Sequence, residues 1–178
     1  LCTVENNPEN EELGNRELTF SREIYIERHD FMEEPIKKFF RLAPGKEVRL
    51  KGAYFITCQS VVKDEEGNIT EIHCTYDPET KSGSGCTRKV KGTLHWVDAN
   101  NCVDIEARLY DYLLDESIES DDFLEQFNKD SLQVMHAKGE ACLANTKPGD
   151  HYQFLRQGYY VTDKDSTADH IIVNRIVG

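Results

Sequence analysis

Arg49 and Lys51 stand two residues apart in GKEVRLK, with Arg41 eight residues upstream of Arg49 and Lys38 three before that. Near the far end, YQFLR sets Gln153 between Tyr152 and Phe154, with Arg156 three residues on. These residue types can read unpaired nucleotides. Guanidinium and ammonium groups meet phosphates and base edges, an amide offers both donor and acceptor, and rings stack bases. On an extended strand, residues i and i+2 share a face, so Arg49 and Lys51 are spaced to reach one base and its phosphate. Gln153 points away from the rings beside it. The same pattern also describes ordinary solvated strand faces with aromatics filling an interior, and the residues alone leave both readings open.

Other chemistry finds little footing. His29, His73, His95, His136, His151 and His170 form neither H-x-H nor H-E-x-x-H, which gives no support for a metal site. Phosphate-binding glycine loops of the G-x-x-x-x-G-K-[ST] and G-x-G-x-x-G kinds are absent, as is the G-x-S-x-G nucleophile turn. Acidic neighbours such as Glu33–Glu34 occur by chance in a chain this acidic and are expected at a solvated surface. Cys2, Cys58, Cys74, Cys86, Cys102 and Cys142 have irregular spacings without C-x-x-C. That excludes a zinc ribbon or a dense secreted disulfide framework, and reduced thiols in a cytoplasmic protein are expected.

The chain of 178 residues carries a net charge of −12, from 21 Lys+Arg against 33 Asp+Glu. A generic nucleic-acid binder would be basic overall, so the distribution matters more than the sum. Lys37, Lys38, Arg41, Lys46, Arg49 and Lys51 cluster within fifteen residues against Glu47 alone, whereas residues 5–34 hold ten acids and three arginines. A local basic strip on an acidic body can hold one specific RNA while rejecting other polyanions. A hydrophobic fraction of 38% with 10% aromatics is too apolar for disorder. No run approaches the roughly 18 apolar residues of a membrane span, and no signal-peptide pattern is present. The chain begins at Leu1, not Met, and reads as a fragment.

The elements that must position these side chains are strands. EVRLK alternates strictly, with Val48 and Leu50 on one face and Glu47, Arg49 and Lys51 on the other. REIYIE does the same with Ile24 and Ile26 inward. AYFITCQSVV and ITEIHCTY are β-branched runs joined by a glycine turn. Pairing Val62 with Thr70 sets Cys58 opposite Cys74. VKGTLHWV, VDIEARLYDYLL, HYQFLRQGYYVTD and HIIVNRIV supply further strands, with a bulge expected at Gly158. Short helical segments are expected only in DFMEEPIKKF, broken by Pro35, and in SDDFLEQFN, capped by Ser120 or Asp121. KSGSGC is a loop. Many short strands with frequent turns predict an all-β sandwich or barrel.

RHDFMEEPIKKFFRLAPGKEVRLKGAYFI, EEGNITEIHCTYDPETKSG, RKVKGTLHWVDA, EARLYDYLL and YQFLRQGYYVTD, in that order, resemble the successive signatures of the C-terminal anticodon-binding region of glutaminyl-tRNA synthetases. The resemblance runs from about Leu13 to Val177, and glutamyl-tRNA synthetases of archaeal and eukaryotic type share weaker versions. It implies two antiparallel β-barrels: a proximal one over 1–36 and 112–178, and a distal one over 37–111 inserted into it. It implies a module that reads the anticodon of the glutamine tRNA and docks on the catalytic domain of the same full-length cytoplasmic chain. Neither membrane nor DNA is an expected partner. The parent would be a ligase joining glutamine to tRNA with ATP and magnesium, whereas this stretch carries no catalytic residues and no cofactor. H-I-G-H-like and K-M-S-K-S-like segments, which would grip ATP, are absent.

Carried over by motif, Arg49 resembles the arginine reading the first anticodon base, with Lys51 at a neighbouring basic position. Arg41 resembles the third-base arginine. Gln153 and Arg156 resemble the glutamine and arginine serving the middle and third bases, and Lys38 lies near the middle-base position. Asn7 and Pro8 fall in a loop resembling one that touches the anticodon stem. Phe40 stands where some relatives carry a lysine. A middle-base arginine expected upstream of Leu1 and a tail expected beyond NRIVG would lie outside the chain. An equivalent module of a glutamate–tRNA ligase and a stand-alone barrel adaptor without an RNA role are the alternatives.

Overall fold

A computed structural model describes all residues 1–178, and its contacts divide the chain into two compact units, Leu1–Asn101 and Cys102–Gly178. Both are built from strands, with only 3-10 turns beside them. No helix is long and apolar enough to cross a membrane.

The first unit contains β1 (Cys2–Glu5), β2 (Asn15–Leu18), β3 (Ile24–Ile26), β4 (Glu47–Leu50), β5 (Phe55–Lys63), β6 (Ile69–Asp77), β7 (Thr93–Leu94) and β8 (Trp96–Asp98). β1 pairs with β2, and β3 with β8, each antiparallel. The remaining four form one sheet in the order β6-β5-β4-β7, in which only β4–β7 is parallel. Alternation builds its core: Val48 and Leu50 face inward with Phe31, Leu42, Ile56, Leu94 and Trp96, and Leu18, Phe20, Ile24 and Ile26 pack against them. The buried indole donates its N–H to the Lys51 carbonyl at 3.0 Å, which satisfies the one polar atom of the ring.

The second unit is a five-stranded sheet of β9 (Cys102–Tyr110), β10 (Leu132–Glu140), β11 (His151–Phe154), β12 (Gly158–Thr162) and β13 (Ile171–Val177). Its order is β10-β9-β13-β12-β11, antiparallel except between β9 and β13. Ile105, Ala107, Leu143, Tyr160, Ile171 and Val173 form the core, with Val103, Leu109, Tyr152 and Phe154 against it. Gly158 has φ +124, and a Cβ there would lie 2.2 Å from the Val177 carbonyl oxygen, so no other residue fits that turn into β12.

Four expectations are corrected. DFMEEPIKKF forms no helix: Pro35 disfavours helical geometry before it, and the backbone of Asp30 and Met32 bonds instead to Leu42, at 2.9 and 3.1 Å. SDDFLEQFN is a series of turns rather than a helix. Ser120 Oγ accepts from the Asp122 N–H and Asp122 Oδ1 from the Leu124 N–H, and such local bonds compete with helical ones. Cys58 does face Cys74, but Val62 faces Glu71 because the ladder shifts between Cys58 and Ser60; Thr70 reaches Val62 only through its hydroxyl. The irregularity expected at Gly158 lies between Tyr159 and Tyr160. All six cysteines are free; Cys2 and Cys58 are buried, Cys102 is partly buried, and the other three are exposed.

On the second unit, Glu106 accepts from Arg108 at 2.7 Å and contacts His170 at 2.9 Å. The Arg108 bond, reinforced by His170, holds the Glu106 carboxyl below its usual range despite partial burial. The Asp165 backbone N–H, the Asn174 amide and nearby Arg108 do the same for Asp163. Because both folded values are depressed, their stabilisation is complete above the unfolded values of roughly 4 and is lost as pH falls through the folded ones. Acid titration of the unfolding midpoint is therefore expected to show stability falling below about pH 4, with Glu106→Gln flattening that fall. An unchanged acid limb in Glu106→Gln would contradict this.

Candidate nucleic-acid interface

β4 sets the geometry of the first unit's basic strip. With Val48 and Leu50 buried, Glu47 and Arg49 must face outward. Arg49 Nη1 donates to Ser82 Oγ at 3.0 Å, and the guanidinium carbon lies 4.2 Å from the centroid of the Phe55 ring. Arg88 sits over the same ring at 4.9 Å. The two arginines are not equivalent. Arg88 donates to both Glu47 oxygens at 2.9 and 3.0 Å and pairs with Asp77, so two carboxylates balance its charge. Arg49 is held by a hydroxyl and a ring, which fix its direction while leaving its charge and most of its N–H donors for a ligand.

Arg41 is held differently. Its Nη1 lies 3.0 Å from Asp30 Oδ1 and 3.4 Å from the His29 carbonyl. Asp30 is fully buried, while 38% of the Arg41 side chain is exposed. The guanidinium thus compensates a buried carboxylate on one side and meets solvent on the other. Leu42 and Phe31 bridge beside it, which fixes the backbone at both ends of the pair.

Lys38 is exposed in a turn closed by the Phe39 N–H to the Ile36 carbonyl at 3.0 Å, with φ +70. Lys51 is half-buried just past β4, its N–H bonded to the Leu94 carbonyl at 2.9 Å. Asn7 and Pro8 lie between β1 and β2, where Asn7 Oδ1 accepts from the Glu9 N–H at 2.8 Å and shapes the loop. Gln153 and Arg156 belong to the second unit. Gln153 is exposed on β11 between half-buried Tyr152 and Phe154, the latter stacked on Tyr160 at 4.5 Å. Arg156 is exposed in the β11–β12 turn with φ +65.

Lys38 and Arg156 are the only non-glycine residues with positive φ. Such conformations cost of order 1–3 kcal/mol each and concentrate where a ligand uses them. Both positions had been singled out from the sequence on other grounds. Sequence reasoning missed Phe55, Ser82 and Arg88 as the residues that aim Arg49. It also missed Lys91, whose Nζ lies 4.8 Å from the Phe40 ring centroid. The run RKVK at 88–91 was the available signal; its partners are remote in sequence.

The family described as tRNA synthetases class I (E and Q), anti-codon binding domain matches residues 1–77, and a second family of the same description matches 93–163. The chain belongs to this class I anticodon-binding family. It is 57% identical over 182 residues to the glutamine–tRNA ligase of Clostridium perfringens, covering 99% of this chain and 33% of that protein. The Clostridioides difficile ligase is 52% identical over 183 residues, at 99% and 33% coverage. That of Rhodopirellula baltica is 51% identical over 178 residues, at 97% and 30%. The chain therefore spans about a third of the length of the curated relatives it matches.

The buried pair yields a direct prediction. Arg41→Ala removes a cationic partner of the buried Asp30 carboxylate, and unfolding experiments are expected to show a loss of about 1–3 kcal/mol, below the usual range for fully buried pairs because Arg41 is partly solvated. Asp30→Asn combined with Arg41→Ala should recover part of it. An Arg41→Ala protein as stable as the parent would contradict the pairing.

Proposed function

We propose that this chain is the anticodon-reading module of a glutamine–tRNA ligase, an enzyme that joins glutamine to its cognate tRNA using ATP. In this reading Arg49 and Lys51 meet the first anticodon base, and Arg41 the third. Lys38 lies near the middle base, while Gln153 and Arg156 of the second unit serve the middle and third bases. Asn7 and Pro8 meet the anticodon stem. The parent chain would bind ATP and magnesium and supply the chemistry, in the cytoplasm. The observation that carries the reading is Arg49: a guanidinium aimed by Ser82 and the Phe55 ring and left without a carboxylate, in a chain of net charge −12. The relatives' names favour glutamine over glutamate as the amino acid.

The finer architecture, two antiparallel barrels nested as proximal and distal, belongs to this proposal. Two separate cores and predominantly antiparallel sheets support it. The contact division at 101/102 differs from the bounds of 36/37 and 111/112 that the resemblance implies.

In the full-length ligase, Arg49→Ala is expected to raise the KM for tRNA by roughly 5–150-fold, the worth of one charged base-edge contact of about 1–3 kcal/mol. Glutamine activation measured by pyrophosphate exchange should change little. Normal charging at limiting tRNA would overturn the assignment.

A further inference from the structure

Cys58 on β5 and Cys74 on β6 stand opposite each other, in register with Thr57 against Thr75 and Ile56 against Tyr76. Of the other cysteines on strands, Cys2 faces Leu18 and Cys102 faces Glu140. The kind of pair matters, because antiparallel neighbours alternate between hydrogen-bonded and non-hydrogen-bonded positions. The Cys58 N–H bonds to the Lys46 carbonyl at 3.3 Å, and the Cys58 carbonyl accepts the Gly45 N–H at 2.9 Å. Both backbone groups of Cys58 are thus spent on the lead-in to β4, which makes Cys58–Cys74 a non-hydrogen-bonded pair. Cα atoms at such positions lie about 4.5 Å apart, inside the roughly 4.4–6.8 Å that a disulfide spans. The side chains meet as well: the Cys74 thiol donates a hydrogen bond to the Cys58 sulfur.

We infer that Cys58 and Cys74 are a site of reversible oxidation, closing into a disulfide that ties the edge strand β6 to β5. The co-reactant is a low-molecular-weight disulfide such as oxidised glutathione. Cys74, exposed on the edge of the sheet, is reached first. Its sulfur attacks the co-reactant, breaks that S–S bond and releases one thiol. The buried Cys58 sulfur then displaces the second thiol and forms the Cys58–Cys74 bond. Two cysteine thiols are oxidised, one external disulfide is reduced, and both protons leave on the released thiols. Neither cysteine is activated at rest. Although Cys74 as a residue is exposed, its sulfur is turned toward Cys58; that partial burial, with Cys58 beside it, pushes the thiol up to about 12. Burial raises Cys58 too. Thiols rather than thiolates face the oxidant at neutral pH, so the pair stays reduced under mild conditions and closes slowly under sustained oxidation. Closure halts oxidation at a step that a thiol reductant reverses. Nothing in this chemistry depends on RNA.

The test incubates the 178-residue chain with oxidised glutathione at mildly alkaline pH, alkylates the remaining thiols and maps tryptic peptides by mass spectrometry. Cleavage after Lys51, Lys63 and Lys81 puts the two cysteines on separate peptides, 52–63 and 64–81. The expected product is these two peptides joined, and separated again by dithiothreitol. The oxidised chain should also unfold several degrees higher than the reduced one, because the cross-link constrains the unfolded state. Cys74→Ser should abolish both the joined peptides and the rise. Cys86→Ser combined with Cys142→Ser, which removes the other two exposed thiols, should keep both. Separate glutathione adducts on Cys58 and Cys74 in place of the joined peptides would overturn the inference. So would joined peptides that form only after unfolding in urea, or a thermal rise that persists in Cys74→Ser.

Discussion

The strict alternation of β4 is the constraint on which the first unit turns. The strand is central in its sheet, bonded to β5 on one side and to β7 in parallel on the other. Burying Val48 and Leu50 fixes its register, since a shift of one residue would expose both and bury Glu47 and Arg49. From that register follow the ring under Arg49, the ion pairs that occupy Arg88, and the close approach of Gly92, just before β7, to Phe40. Glu47 and Arg49 of the strip form the outer face of a strand whose inner face is the core.

The cations of this strip are divided by what neutralises them. Arg88 is committed to Glu47 and Asp77, and Arg41 partly to Asp30. Arg49 is oriented without being neutralised. This division lets an acidic protein present positive charge at chosen points. Bulk repulsion weakens nonspecific polyanion binding, and a few pre-aimed groups provide local attraction. Pre-orientation also lowers the entropy lost when a side chain is immobilised on binding.

Legibility in the sequence followed burial. β4 and β9 were readable because each buries one face and so alternates, and β5 because it is a β-branched run ahead of a glycine turn. β10 was missed because Leu132–Lys138 is exposed throughout and leaves no pattern to detect. β1 and β2 are four residues each and were missed for want of length. The two expected helices failed because side-chain turns and a proline won over apolar spacing. At the candidate site, Arg49, Lys51, Gln153 and Arg156 stood out by type and spacing, and Arg41 by resemblance. What aims them did not. Asp30 is one acid among ten in its stretch, and Ser82 sits in a glycine loop 33 residues from Arg49. Such partners are created by the fold, and only the register of β4 brings them together.

The central claim is that the outer face of β4 and its neighbours bind unpaired nucleotides. Backbone amide NMR of the chain, titrated with a glutamine-anticodon stem-loop, tests it most directly. The account predicts the largest shift changes at residues 38–51 and 91 and at 153–156, on β11 and the turn that follows it. Changes concentrated instead on the exposed apolar segment 112–124, with the β4 strip silent, would contradict it.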